Sequence, residues 1–223
     1  MAAAKAPQAT LGALAFALSG LLFVVFWAMA TTLTSFVGAA ATQRALWGPS
    51  QAVHCIAAIA GLLGTAGVHD LHAPKTGWWG LIGTAVALVG QACFFADGVI
   101  AYAVFPPVAS AMPASVELDG FMFTGANYSA YTAFCVIFMV GYITLGASLL
   151  YYRALPAAPA APHAAEACAV ALIIGSILAN LPPTAGFGVI CAGGIIWGAG
   201  AGVLGALWAL AEAREQPESG ASP

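Results

Sequence analysis

The sequence predicts an all-α membrane protein, a bundle of six transmembrane helices with both termini cytoplasmic, and three observations carry that expectation. Charged residues are 6% of the 223-residue chain, whereas an ordinary soluble domain has about 25%; so few charges require a surface solvated by lipid. The apolar residues, 62% of the total, fall in long unbroken runs and not in alternating segments of about ten residues. Such runs close their backbone hydrogen bonds within helices, not around a barrel. Finally, Lys and Arg alternate in abundance from one connector to the next, which sets an orientation.

Residues 1–10 read as a short tail and residues 11–37 as the first span, longer than the roughly 20 residues that a hydrocarbon core about 30 Å thick requires. Lys5 and Ala28-Met29-Ala30 also suit a signal peptide, but the apolar run is too long for a usual signal core. A connector with Arg44 and Trp47 leads to Pro49, a residue suited to the first turn of a helix. Spans at 49–70 and 77–105 then form a hairpin about the polar turn His69 to Lys75, and Pro106-Pro107 stops the second of them. Residues 106–126 form a long loop with Glu117 and Asp119 and no basic side chain. A span at 128–152 is followed by a Pro/Ala linker over 154–164, expected to be extended. Spans at 166–182 and 186–211 complete a single domain over residues 11–212, and residues 213–223 read as a disordered tail.

Lys5, Lys75, Arg153 and Arg214 fall on one side of this arrangement and only Arg44 on the other, which puts the hairpin turn and the Pro/Ala linker in the cytoplasm and the 106–126 loop outside. Aromatic residues agree, with Trp78-Trp79, Tyr151-Tyr152 and Trp208 at inner ends and Trp47, Tyr102, Tyr128 and Tyr131 at outer ends. The general make-up resembles that of small, alanine-rich bacterial membrane proteins, which implies an inner-membrane location; no motif names a family.

Lipid tails are as apolar as leucine, so helices in a bilayer pair through close contact between small residues. Gly194, Gly198 and Gly202 lie four residues apart and form one packing ridge on the last span. That ridge fits either packing inside the bundle or a contact with other membrane protein subunits.

The candidate chemistry centres on the hairpin. Asp97 is a carboxylate inside an apolar run, a placement that costs about 2.5–3.5 kcal/mol on insertion scales and that is usually met by a partner. At about 1.5 Å per residue it lies roughly 12 Å from the Phe105 end, and His54 lies roughly 7 Å from Pro49, so the antiparallel arms hold both in the outer half. Asn180 reaches the same layer, with Gln51 one turn above His54 and Gln91 deeper. These residues fit a ligand- or ion-binding pocket roofed by the 106–126 loop, or a structural role in which His54 and Asp97 satisfy each other or a protonated Asp97 bonds a backbone carbonyl. His69 and His72 at the hairpin turn are too few for a metal site, which needs about three protein ligands.

Other chemistries are excluded or unsupported. A net charge of -3 without a basic cluster does not fit nucleic acid. No span carries the lysine of a retinal Schiff base or a second histidine at the depth of His54 for haem. Neither G-x-S-x-G nor H-E-x-x-H occurs, and the glycines lie within spans, not in phosphate-binding loops. Five scattered cysteines fit small buried hydrophobes. Asn127-Tyr128-Ser129 matches a glycosylation sequon only as a short pattern, and Glu117 with Asp119 offers too few oxygens for Ca²⁺. No cofactor is indicated. The first expectation is a non-enzymatic scaffold or accessory subunit of a larger membrane complex. The alternative is a small carrier or channel-like protein that binds a proton, cation or polar solute around Asp97 and His54.

Overall fold

The computed structural model describes residues 6–33, 38–156, 163–182 and 185–215, and among them every regular element is helical. Lys5, most of the Pro/Ala linker and the tail beyond Glu215 lie outside the described residues. The elements are α1 (Ala6–Leu33), α2 (Ala39–Thr42), α3 (Trp47–Ala103), α4 (Phe105–Ala111), two short 3-10 turns (Pro113–Val116 and Phe121–Phe123), α5 (Gly125–Tyr151), α6 (Ala164–Ala179) and α7 (Phe187–Glu215). Among the described residues four helices are long and apolar enough to cross a membrane: α1, α3 running on into α4, α5 and α7. Helix α6, with 16 residues, is shorter.

The 57 residues of α3 would reach about 85 Å if straight, at about 1.5 Å per residue. Instead the chain reverses at Gly77, whose φ of 54° and ψ of -138° are not helical. No atom lies within 4 Å of a Cβ built there, so it is the backbone conformation and not crowding that requires glycine. The expected polar turn over His69 to Lys75 is therefore corrected: those residues are helical, His72 and Thr76 are buried, and the reversal is confined to Gly77. Pro74 falls in the exposed last turn before the break, where the carbonyl it leaves without a partner can reach solvent or headgroups.

Behind the reversal the two arms of α3 pack antiparallel. Trp47 Nε1 donates to the Ala101 carbonyl at 2.9 Å, Cys55 lies against Gly98, Gly61 against Gln91, and His69 Nδ1 is 3.2 Å from Thr84 Oγ1. Further small-residue contacts close a ring of helices. Gly64 and Gly67 of the first arm meet Phe16 and Gly12 of α1, where Ser19 Oγ donates to the Ala57 carbonyl at 2.8 Å. Gly83 and Gly90 of the second arm meet Leu145 and Phe138 of α5; Gly146 of α5 meets α6; and Gly175 of α6 meets Trp197 of α7. The ridge on α7 faces α1: a Cβ at Gly194 would enter the Trp27 ring, one at Gly198 would sit 2.7 Å from the Gly20 carbonyl oxygen, and Gly202 lies over Ala17 and Leu21.

These contacts define two ends. The Gly77 end carries the start of α1, the finish of α5 and α7, and the basic residues Lys75, Arg153 and Arg214; the opposite, loop end carries Arg44. The loop end differs from its sequence expectation in detail. Pro106 and Pro107 do not end helical structure but occupy the first turn of α4, where the missing N–H groups cost nothing. The segment from α4 to the second 3-10 turn is tied down by the Gly38 N–H donating to the Val116 carbonyl at 2.8 Å and the Ala39 N–H donating to Glu117 Oε1 at 3.1 Å. Val116 is fully buried, and Phe105 lies between Trp47 and Phe123 with ring centroids 6.2 and 5.6 Å away.

Candidate functional site

Helix α5 packs closely only from Phe138 onward; all of residues 124–133 are exposed. Where its first half stands away from the second arm of α3, the ring opens into a cavity of about 590 Å³ at the loop end. Its wall is drawn from α1, both arms of α3, α5 and the facing ends of α6 and α7, with Leu118, Met122 and Phe123 as its roof. A cluster of rings closes it below. Phe94 and Phe138 have centroids 4.3 Å apart, Trp197 is 4.9 Å from both Phe23 and Tyr142, and Phe138 is 5.3 Å from Trp197.

His54, Asp97 and Asn180 all line this recess. The His54 ring is 2% exposed, stacked on Phe26 at 4.4 Å with edge contacts to Phe23 and Phe94. Gly98 on the facing arm gives it room, since a Cβ there would lie 3.2 Å from Nδ1 and 2.9 Å from Cys55 Sγ. Gln51 turns its carbonyl oxygen toward His54 Nδ1 at 3.4 Å, while Nε2 is buried and without a partner. Asn180 caps the end of α6; its Nδ2 donates to the Ser176 carbonyl at 2.7 Å and its Oδ1 is buried without a partner. Asp97 makes no hydrogen bond or ion pair among the described residues, and its electrostatic neighbours are Cys55, Tyr131 and Cys135. His54 and Asp97 thus share a wall without bonding each other, so the structural pair that the sequence allowed as an alternative is not formed. Among the described residues no Lys or Arg side chain lines the cavity.

The remaining polar residues of the hairpin bond outside the cavity, although Gln91 Oε1 is buried without a partner among the described residues. Tyr142 OH lies 3.1 Å from Thr65 Oγ1 and accepts from Gln91 Nε2 at 2.8 Å. At the Gly77 end the buried His72 meets Thr76 Oγ1 at 3.1 Å through Nδ1 and Thr84 Oγ1 at 3.5 Å through Nε2. Threonines therefore account for the His69/His72 pair, and among the described residues no three His, Cys, Asp or Glu side chains come together as a metal site. The five cysteines are unpaired.

Sequence reasoning missed the contribution of α5. Asn127, Tyr131 and Cys135 belong to the cavity wall; Tyr131 reads in the sequence only as an interfacial aromatic. Their spacing of four residues was the available signal that one face of α5 turns inward. Comparison with known proteins gives no relative: no family model, no curated protein and no solved structure matches this chain.

Proposed function

We propose that the chain is a six-span inner-membrane protein, both termini cytoplasmic, that binds a small solute in the loop-end cavity and acts as a carrier. The observation that carries this reading is the recess itself, about 590 Å³ with His54, Asp97 and Asn180 in its wall; among the described residues His54 Nε2 and Asn180 Oδ1 are buried without a partner and Asp97 makes no hydrogen bond or ion pair. Its size is that of a small-molecule site, about 300–1,000 Å³, and an intramembrane ionisable residue that faces a cavity points to a binding role.

The span count rests on two arms of α3, each long enough to cross, together with α1, α5, α7 and the short α6. At about 1.5 Å per residue the 16 residues of α6 cover roughly 24 Å, a mismatch that local thinning of the bilayer absorbs. Orientation rests on the basic residues: Lys75, Arg153 and Arg214 at the Gly77 end against Arg44 at the loop end favour a cytoplasmic Gly77 end. The ring cluster below the cavity argues for a carrier that must rearrange, not an open channel.

The test is substitution. Asp97→Asn and His54→Ala should each change uptake, efflux or resistance to small solutes in cells that depend on this protein. If every such phenotype matches the wild type, the cavity is not a transport site. An accessory role in a larger membrane complex is the second reading. Gly194, Gly198 and Gly202 meet α1 of the same chain, so a partner would need a different face. Mild-detergent purification from native membranes distinguishes the two, since an accessory subunit brings a stoichiometric partner and a carrier does not.

A further inference from the structure

His54 Nε2, Asn180 Oδ1 and the Asp97 carboxylate in the cavity wall share one chemical sense. A ring proton on His54 Nδ1, directed at Gln51 Oε1 3.4 Å away, leaves the buried Nε2 as an acceptor. Asn180 uses its Nδ2 on the Ser176 carbonyl, so the buried, unpartnered Oδ1 is an acceptor as well. Asp97 adds a carboxylate with no hydrogen bond or ion pair among the described residues. All three accept, and the cavity wall includes no Lys or Arg to neutralise the carboxylate. Much of the remaining wall is aromatic, including Trp27, Trp47, Phe94, Tyr128, Tyr131 and Phe134. Ring faces attract a cation within about 6 Å of the centroid, and ring bodies take up apolar surface. A bare metal ion fits poorly, because hard cations ask for about six or more oxygen ligands.

We propose that the ligand of this cavity is a protonated amine on an apolar body, its ammonium N–H groups directed to Asp97, His54 Nε2 and Asn180 Oδ1 and its body against the rings. This rests on the cavity being a binding site and adds the class of compound. An anion would meet an unneutralised carboxylate, and a neutral hydroxyl compound would supply one donor to three acceptors without the countercharge.

The test uses the full chain in lipid nanodiscs, with empty discs subtracted, and three probes of one shape: 2-phenylethylamine, 2-phenylethanol and phenylacetate. Isothermal titration at neutral pH should show the amine binding at least tenfold more tightly than the alcohol, with phenylacetate the weakest. Asp97→Asn should remove about tenfold of the amine affinity and leave the alcohol within twofold, Asp97→Glu should restore amine binding, and all variants should melt as the wild type does. Equal binding of amine and alcohol, or an amine affinity indifferent to Asp97→Asn, overturns the amine assignment while a neutral-solute cavity stands. Amine binding that survives Ala130→Trp, which fills the cavity from the α5 wall, places the compound elsewhere and overturns the cavity site itself. Failure of all three probes to bind above empty discs overturns both.

Discussion

The two ends of the bundle hold similar polar side chains and treat them in opposite ways. Toward the Gly77 end, His72, Thr76 and Thr84 bond one another, and in the middle Thr65 and Gln91 share the Tyr142 hydroxyl. At the loop end, His54 Nε2, Asn180 Oδ1 and the Asp97 carboxylate surround open space. The cause is packing. Where Gly64, Gly67, Gly83 and Gly90 let backbones approach, Thr65, His72 and Thr84 find partners within reach, although Gln91 Oε1 and Trp197 Nε1 do not; in the cavity, where α5 stands off, His54 Nε2 and Asn180 Oδ1 find none among the described residues. Burying a polar group without a partner costs free energy, so the loop end gives up stability that the Gly77 end retains, as is expected of a site that binds.

The widest break in this comparison comes from the close-packed part. Gly20→Leu inserts a side chain against the backbone of Gly198 and Gly202 on α7. It should cost about 3 kcal/mol or more, the upper range for overpacking, and appear as loss of the monodisperse peak in size-exclusion chromatography. Gly77→Ala meets no neighbouring atom, so its effect is confined to the backbone: an L-residue at φ 54° and ψ -138° should cost about 1–3 kcal/mol, read as a lower thermal midpoint. A normal midpoint would mean that the hairpin reverses in another conformation.

The next pair sets the two regions directly against each other. Tyr142→Phe strands Gln91 and Thr65 and should cost about 1–3 kcal/mol. Asp97→Asn removes a charge that nothing among the described residues matches, and its thermal midpoint should stay level or rise. A large loss in Asp97→Asn would show that the carboxylate has a structural partner. The smallest effect is one of access. In a variant that retains Cys135 alone, a membrane-impermeant maleimide should label the cavity-lining thiol from the outside of right-side-out vesicles and not from the inside; in a second variant that retains Cys191 alone, that thiol, buried against the core, should stay unlabelled from either side. Labelling of Cys135 from the cytoplasmic side alone would invert the proposed orientation.

Much of this arrangement is legible in the sequence. The hairpin from Pro49 to Phe105 can be read from two apolar runs of matched length, and helix rise places His54 and Asp97 at similar depth in it; both line the same cavity. The turn is misread because His69, Asp70, His72 and Lys75 look like a solvated loop. Polarity alone does not separate a loop from a helical turn whose His and Thr side chains bond each other, and what ends the helix is one glycine among many. The role of α5 is nearly hidden, because apart from the spacing of Asn127, Tyr131 and Cys135 the helix is apolar on every side, with little sign of which face meets protein and which meets lipid.

By itself, the sequence determined the class of solvent and the elements that follow from it. Few charges, long apolar runs and scarce breakers dictate helices in lipid, since backbone groups there have no water to bond. Tertiary structure alone decided which glycines meet which backbones, that the ridge on α7 is used by α1, and that α5 diverges above Phe138 to leave a cavity around three unmatched acceptors. The physical reason is that burial from water is a property of each residue, readable one position at a time. Close packing between helices in lipid is a property of pairs of surfaces, and it exists only once those surfaces meet.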